Sequence, residues 1–198
     1  MGESLNYLAA PQRLARADFV VRAYRPGDGE RLAEAVNASY AHLKTFMPWA
    51  KPHQSVEESE GRCRDFAGRY LSSTEFVLGI WAPDESRLLG GTGFHLREGG
   101  LELRNAEIGM WIRGDAAYRG LGSAVLRALL AWGFGEWPWL RLAWRCSGAN
   151  GASQRVAEKA GMLKEGVLRS HSVDPDGSRR DTVCYAALRG EWKDPAAA

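Results

Sequence analysis

The order of apolar and polar residues along the first part of the chain predicts one strand and two amphipathic helices. Residues 19–25 resemble a short strand, because bulky apolar side chains lead into a Pro-Gly turn. Apolar residues then recur at helical spacing over 28–44, where Asp28 is a good N-cap. A Ser-x-x-Glu capping box predicts the start of a second helix over 55–71.

In the second part of the chain strands come first and then alternate with helices. Alternating apolar residues between Gly or Pro turns predict strands at 75–81, 87–97 and 101–113, and their short connections favour antiparallel pairing. The elements expected after them are a strongly apolar helix at 120–134, a strand at 140–146, a helix at 150–160 and two strands joined by a turn at 174–177. This order predicts an α/β fold with an antiparallel start.

The chain is expected to form one domain with short loose ends. Its 198 residues are enough to bury a core, and neither a linker nor an internal repeat divides them. We place the domain at 18–193, with a flexible leader at 1–17 and a disordered tail at 194–198.

Composition and charge narrow the classes of function. The chain is 45% hydrophobic, and its formal net charge of +2 is too small to indicate a nucleic-acid partner. Its longest apolar run is far shorter than the roughly 20 residues of a membrane span, and the first residues lack a secretory signal pattern. Cys63, Cys146 and Cys184 lack the spacing of a metal site, which favours reduced thiols, no metal and a cytoplasmic location.

A glycine-containing loop between a strand and a helix is the most informative feature. Gly120 and Gly122 would let the main chain approach a phosphate, and unpaired amides at the helix start would attract it. The loop matches neither a Walker A nor a dinucleotide fingerprint, because it lacks a Gly-Lys pair and the third Gly or Ala. Two glycines alone fit a tight turn with close helix packing equally well.

Two motifs around this loop resemble a known family. The segment 119–124 matches the R/Q-x-x-G-x-G/A signature of GNAT acetyltransferases, and 150–161 is similar to the N-x-x-S-x-x-x-x-x-K-x-G segment of their RimJ/RimL-type branch. Shorter likenesses at 47–49, 163–169 and 180–192 extend the resemblance over roughly 19–192. It implies a mixed, mostly antiparallel sheet of about seven strands, flanked by about four helices and splayed at the cofactor strand.

The resemblance also implies the activity and a cofactor site. It predicts transfer of an acetyl group from acetyl-CoA to a primary amine, without a metal. The residues implied to hold acetyl-CoA are Met110, Trp111 and Ile112 on the strand, Arg119, Gly120, Leu121, Gly122, Ser123 and Ala124 at the glycine loop, and Asn150, Ser153 and Lys159 on the following helix. The family's strand carries a bulge, and the shift of apolar parity between 101–103 and 106–112 is what a bulge, or an ordinary irregular strand, would leave.

Two residues are predicted to take part in the reaction. Glu107 begins the cofactor strand and is the candidate general base, although it could equally be a solvated edge carboxylate or the partner of an arginine. Ser153 aligns with a serine that lies near the cofactor sulfur in the branch, and its alternative role is that of a first-turn helix hydroxyl. The four histidines lack metal-ligand spacing and are expected to be surface or satisfied residues.

The acceptor is expected to bind against an apolar wall of Phe46, Met47 and Trp49, which with Glu107 form the predicted substrate site. In the branch it is a protein N-terminal α-amine, a small amine or an antibiotic. A non-catalytic CoA-binding regulatory module on the same fold is the alternative. Trp137 and Trp139 fall in a predicted loop, where exposed aromatics would favour a homodimer.

Overall fold

The computed structural model describes residues 7–97, 99–174 and 176–196. Within these residues the chain forms one eight-stranded sheet with α-helices on both faces. The elements in chain order are β1 Arg13–Ala15, β2 Val20–Ala23, α1 Gly29–Ala38, α2 Tyr40–Leu43, α3 Val56–Leu71, β3 Phe76–Trp81, β4 Leu88–His95, α4 Gly100–Leu103, β5 Asn105–Ile112, a 3₁₀ turn Gly114–Ala116, α5 Leu121–Gly135, β6 Arg141–Ser147, α6 Gly151–Lys159, β7 Leu163–Val173 and β8 Arg179–Leu188.

The strand order is β1-β2-β3-β4-β5-β6-β8-β7, and the expected mixed sheet is confirmed. All neighbours pair antiparallel except β5 and β6, which run parallel. These two strands pair only over Asn105–Glu107 and Arg141–Ala143, after which they separate. The sheet is therefore open at its centre, at the cofactor strand predicted to be splayed.

The expected flexible leader is partly wrong. Residues 13–15 form β1, which pairs with β2 in antiparallel register and buries Leu14 in the core. Three residues are too few to show a pattern of alternating apolar and polar side chains. Pairing with β2 therefore defines β1, the strand that brings the sheet from the expected seven strands to eight. The leader's first six residues and the last two of the predicted tail lie outside the described residues.

The strand predicted at 101–113 is also corrected. Its first residues form the short helix α4, bounded by Gly99 and Arg104 in left-handed conformation, and β5 starts only at Asn105. The β4–β5 register then runs without interruption from Gly90 opposite Ile112 to His95 opposite Glu107. The shift in apolar parity marks the change from helix to strand, and the predicted bulge is wrong.

Trp137 and Trp139 are buried, contrary to the expected exposed loop. Their exposures are 2% and 0%, and they stack on each other with ring centroids 5.9 Å apart, against Phe76 and Phe94. Arg189 donates hydrogen bonds to both tryptophan carbonyls, so the loop can enter the core with these polar groups satisfied. The two tryptophans therefore offer no surface for a dimer, and the sequence-based reason for one is removed.

The helix predicted at 28–44 is interrupted at Ser39, which separates α1 from α2. Asp28 stands at the N-cap position, but its side chain makes no cap hydrogen bond. Its carboxylate instead binds the guanidinium of Arg22, while Glu60 from α3 accepts from the Gly27 and Gly29 amides. A distant helix thus supplies the acceptors for these two amides.

Arg22 is expected to dominate the stability of this side of the fold. It is 4% exposed, lies 3.9 Å from the Trp81 ring centre and pairs with Asp28 and Glu85. Replacing it, as in Arg22→Leu, leaves the carboxylate of Asp28 buried without its counterion, which costs about 3 to 5 kcal/mol of unfolding free energy. The measurement is the denaturation midpoint in urea.

The matched control is Arg13→Gln, since Arg13 also binds Glu85 but is half exposed. An exposed pair contributes at most about 1 kcal/mol. Equal losses in the two variants would contradict the importance of the buried pair.

Candidate active site

Two adjoining clefts lie where β5 and β6 separate. One has a volume of about 590 Å³ and borders Gly120, Gly122 and Lys159, and we call it the glycine-loop cleft. The other, of about 680 Å³, borders Glu107 and Arg180 of the final hairpin, and we call it the hairpin cleft. Both are lined by Phe46, Met47, Met110, Trp111, Trp144, Asn150 and Ser153. The shared lining makes them two halves of one groove.

The glycine-loop cleft ends at the N-terminus of α5. Gly120 is the N-cap, with a φ of 88°, and this left-handed conformation favours glycine. The Ala124 amide donates to the Gly120 carbonyl at 3.1 Å in the first turn of the helix. The amides before it have no intrahelical acceptor, and the helix dipole adds positive potential at this end. The loop is therefore built to attract an anion.

Gly122 differs from Gly120 because the protein alone does not require a glycine there. A Cβ at this position would lie 3.5 Å from Val156 Cγ2 and 3.8 Å from Ile112 Cγ1, which are ordinary contacts. Its backbone is in the regular conformation of α5. A glycine here does, however, let a ligand approach the main chain of the first helical turn closely.

Basic side chains complement the amides of this cleft. Lys159 and Arg155 of α6 line it, and its described lining contains no aspartate or glutamate. Arg155 was not predicted, because only its place on α6 opposite α5 brings it to the cleft.

The predicted cofactor residues separate into two groups. One group lies outside both clefts: Arg119 is exposed, and Leu121 and Ala124 pack against the core. The predicted residues that line the glycine-loop cleft are Met110, Trp111, Ile112, Gly120, Gly122, Ser123, Asn150, Ser153 and Lys159.

An aromatic wall forms one side of the hairpin cleft. Phe46, Met47 and Trp49 of the predicted acceptor wall all line it. The Trp49 and Trp111 rings meet edge to face with centroids 5.9 Å apart. The predicted substrate residues are thus together, although their role stays a prediction.

Glu107 lies at the base of the hairpin cleft and is 7% exposed. Its Oε1 accepts a hydrogen bond from Arg97, and its Oε2 lies 3.8 Å from Nη1 of Arg145 on β6. It is also the last residue of β5 that pairs with β6. Of the roles considered for Glu107, the structure shows that of a carboxylate paired with arginines. A role as base would also require one of its oxygens to face the acceptor.

Ser153 lies where the two clefts meet. Its Oγ accepts a hydrogen bond from Trp144 Nε1 at 3.1 Å, and its amide donates to Asn150 Oδ1 at 3.0 Å. Asn150 is thus the predicted N-cap of α6, and the cap uses only its oxygen. Trp144 fixes the position of the Ser153 oxygen, and the one hydroxyl proton is left for the Cys146 sulfur or for a ligand.

His171 and Cys146 also line the hairpin cleft, although neither was among the predicted site residues. His171 Nδ1 lies 3.1 Å from Thr182 Oγ1 across the final hairpin. Burial raises the pKa of the Cys146 thiol, and a hydrogen bond with Ser153 opposes this shift. Neither residue stands in a sequence motif, since the hairpin and the end of β6 bring them to the groove.

The described part of the chain lacks two further features. No helix there is long and apolar enough to cross a membrane. The same residues contain no cluster of three or more His, Cys, Asp or Glu side chains that could hold a metal ion.

Known proteins resemble this chain in sequence and in fold. A family model described as "Acetyltransferase (GNAT) domain" matches residues 18–163. YdaF of Bacillus subtilis, whose name describes it provisionally as a ribosomal N-acetyltransferase, is 28% identical over 176 residues, which are 88% of this chain and 93% of YdaF. The uncharacterised N-acetyltransferase YoaA of the same species is 30% identical over 158 residues, or 79% of this chain and 88% of YoaA.

A solved structure shares the fold. RimL, titled a ribosomal L7/L12 alpha-N-protein acetyltransferase in complex with coenzyme A, superposes with a TM-score of 0.78 at 20% identity, covering 88% of this chain and 96% of RimL. The chain belongs to the GNAT acetyltransferase family and is an N-acetyltransferase of that family.

Cys146 gives a prediction about the chemistry of the groove. Because burial raises its thiol pKa, less thiolate is present at neutral pH than in an ordinary free thiol. We expect iodoacetamide to label Cys146 more slowly than it labels the thiol of free glutathione at pH 7. The rate of Cys146 labelling should rise as the pH approaches the raised pKa. Peptide mass spectrometry measures the labelling site by site.

Cys63 is the internal control for this experiment. Burial raises its pKa to about 12 and its side chain is inaccessible, so it should stay unlabelled throughout. Labelling of Cys146 at pH 7 as fast as that of glutathione would contradict the predicted shift.

Proposed function

We propose that the protein transfers the acetyl group of acetyl-CoA to the α-amine of a protein N-terminus, as the ribosomal-type names of its relatives suggest. The observation that carries this proposal is the groove itself. An anion-attracting cleft and an aromatic-walled cleft meet at Ser153, so two substrates can lie end to end.

The residues of the glycine-loop cleft fit acetyl-CoA. Its phosphates suit the free amides before Ala124 together with Arg155 and Lys159. Beyond Glu107, β5 has β4 on one side and no paired strand on the other, so its free edge can hydrogen-bond the pantetheine amides. The bound cofactor would supply a thioester-activated acetyl group.

An α-amine suits the residues on the acceptor side. Its pKa of about 7.7 to 8.0 leaves part of it unprotonated at neutral pH, so it needs less help from a base than a lysine with a pKa of about 10.4. Glu107 and His171 both line the hairpin cleft and are the groups that could accept the proton. Ser153 can donate a hydrogen bond at the junction of the clefts.

Gly122 separates the cofactor proposal from effects on folding. Gly122→Ala is expected to keep the fold, because its Cβ meets only ordinary contacts, and to gain about 0.5 to 1 kcal/mol of helix stability. Gly122→Glu places a carboxylate among the amides and is expected to weaken acetyl-CoA binding more than about tenfold, a loss of at least 1.4 kcal/mol. Titration calorimetry measures both variants.

Gly135→Glu is the matched control, since it adds the same charge at the exposed far end of α5, where no atom lies within 4 Å of the new Cβ. Binding unaffected by Gly122→Glu would remove the proposed phosphate site.

Glu107→Gln tests the predicted base. We expect kcat/KM for an N-terminal peptide to fall about 10²-fold at pH 7, because general base catalysis contributes at least this much. The loss should shrink towards pH 9, where most of the amine is already unprotonated. The rate is followed as release of CoA, and mass spectrometry locates the acetyl group on the α-amine.

Glu102→Gln, an exposed change on the nearby α4, serves as the control. A loss in Glu107→Gln of the same size at pH 7 and pH 9 would assign Glu107 to the ion pair with Arg97 and Arg145 alone. The same profile measured on His171→Gln then shows whether that residue takes the proton.

A further inference from the structure

The hairpin cleft contains more positive than negative charge. Its described lining includes four arginines, Arg62, Arg97, Arg145 and Arg180, and a single carboxylate, that of Glu107. Arg97 and Arg145 share this carboxylate between them. The two arginines therefore leave one positive charge beside Glu107, and Arg62 and Arg180 add to it.

Arg62 lies on α3, lines the cleft and is half-buried. Its guanidinium makes no hydrogen bond or ion pair with any residue that the structure describes. A hydrogen bond from Lys51 lowers the pKa of Glu58, one turn earlier on the helix, and Arg62 adds a smaller through-space contribution. Its donors are therefore available to a ligand in the cleft.

Arg180 approaches from the hairpin and is only loosely paired. Its Nη1 lies 3.5 Å from Asp174 Oδ1, and that oxygen has no hydrogen-bond partner in the described chain. The Arg180 Nε is buried and likewise lacks a partner among the described residues. Buried donors in folded proteins are normally satisfied, so the Nε of Arg180 is suited to an acceptor that the described residues do not supply, beside the ion pair that Nη1 makes with Asp174.

A positive cleft is at first sight unsuited to an amine, which is a cation when protonated. The positive potential of the cleft favours the neutral form of the amine, which is the form that attacks the acetyl group. It does not, however, attract the amine into the cleft. A carboxylate on the same substrate supplies that attraction, since guanidinium groups bind carboxylates through charge-assisted hydrogen bonds. The cleft thus fits an acceptor that carries both an amine and a nearby anion.

We propose that Arg62 and Arg180 form an anion subsite that selects N-termini with an acidic side chain in the first few residues. The proposal rests on the proposed function, because it specifies the acceptor of the same groove. The aromatic wall would hold the first residue while the two arginines bind the carboxylate that follows it.

The test compares peptides that begin with serine and differ only at the second and third residues, which are both aspartate, both asparagine or both lysine. We expect kcat/KM for the aspartate peptide to exceed that of the asparagine peptide by about tenfold, with the lysine peptide lowest. Added salt should reduce the difference, because exposed parts of the interaction are screened. Arg62→Gln and Arg180→Gln should each lower the aspartate-to-asparagine ratio.

Two variants sharpen the result. Arg69→Gln removes an exposed arginine from the same helix, one paired with Asp65 and outside the cleft, and should leave the ratio unchanged. Arg62→Glu should shift the preference towards the lysine peptide, a change that partial unfolding would not produce. Circular dichroism checks that each variant is folded.

The outcomes distinguish this inference from the function on which it rests. Acetylation of all three peptides at equal rates, or a ratio that survives both Arg62→Gln and Arg180→Gln, would overturn the anion subsite while the N-terminal acetyltransferase proposal stands. Failure to acetylate any peptide, with acetyl-CoA bound, would overturn the proposed function and the subsite together.

Discussion

The rest of the structure depends on the separation of β5 from β6 after only three paired residues. Each strand is held by its other neighbour, since β5 pairs with β4 over 90–95 and β6 pairs with β8 along its whole length. The two halves of the sheet can therefore diverge without losing their own register. The divergence leaves one edge of β5 unpaired, brings the starts of α5 and α6 to the gap and opens both clefts there. A sheet paired continuously across its centre would have no groove.

The groove is positive along its whole length, but for different reasons at its two ends. In the glycine-loop cleft the positive potential comes mainly from backbone amides and the α5 dipole, with Arg155 and Lys159 beside them. In the hairpin cleft it comes from guanidinium side chains. Backbone amides are fixed by the helix, so their position does not depend on which side chains line the cleft. Side chains can change without disturbing the fold, so the acceptor end is where selectivity between substrates can arise.

The features that were predictable from sequence are those in which neighbouring residues act on one another. The capping box at Ser55, the cap at Asn150 and the glycine loop each lie within a few residues of the chain, and the structure contains all three. The cap expected of Asp28 failed because Arg22 takes its carboxylate. The exposed tryptophan loop failed because Arg189 satisfies its carbonyls from fifty residues away. The turn at 174–177 predicts the pairing of β7 with β8, but His171 and Arg180 reach the groove because β8 also pairs with β6, and no local pattern encodes that long-range pairing.

Glu107 links the two separating strands and is also the proposed base. It is the last β5 residue to pair with β6, and its carboxylate bridges to Arg145, which lies on β6 beyond the last paired residue. The bridge spans the point where the strands part and neutralises charge that would otherwise face the acceptor. Arg97 donates a hydrogen bond to the other oxygen, so both oxygens of the carboxylate face an arginine. The proposed base, held in this way, favours a substrate whose amine needs little help to lose its proton, and the α-amine meets that condition better than a lysine side chain.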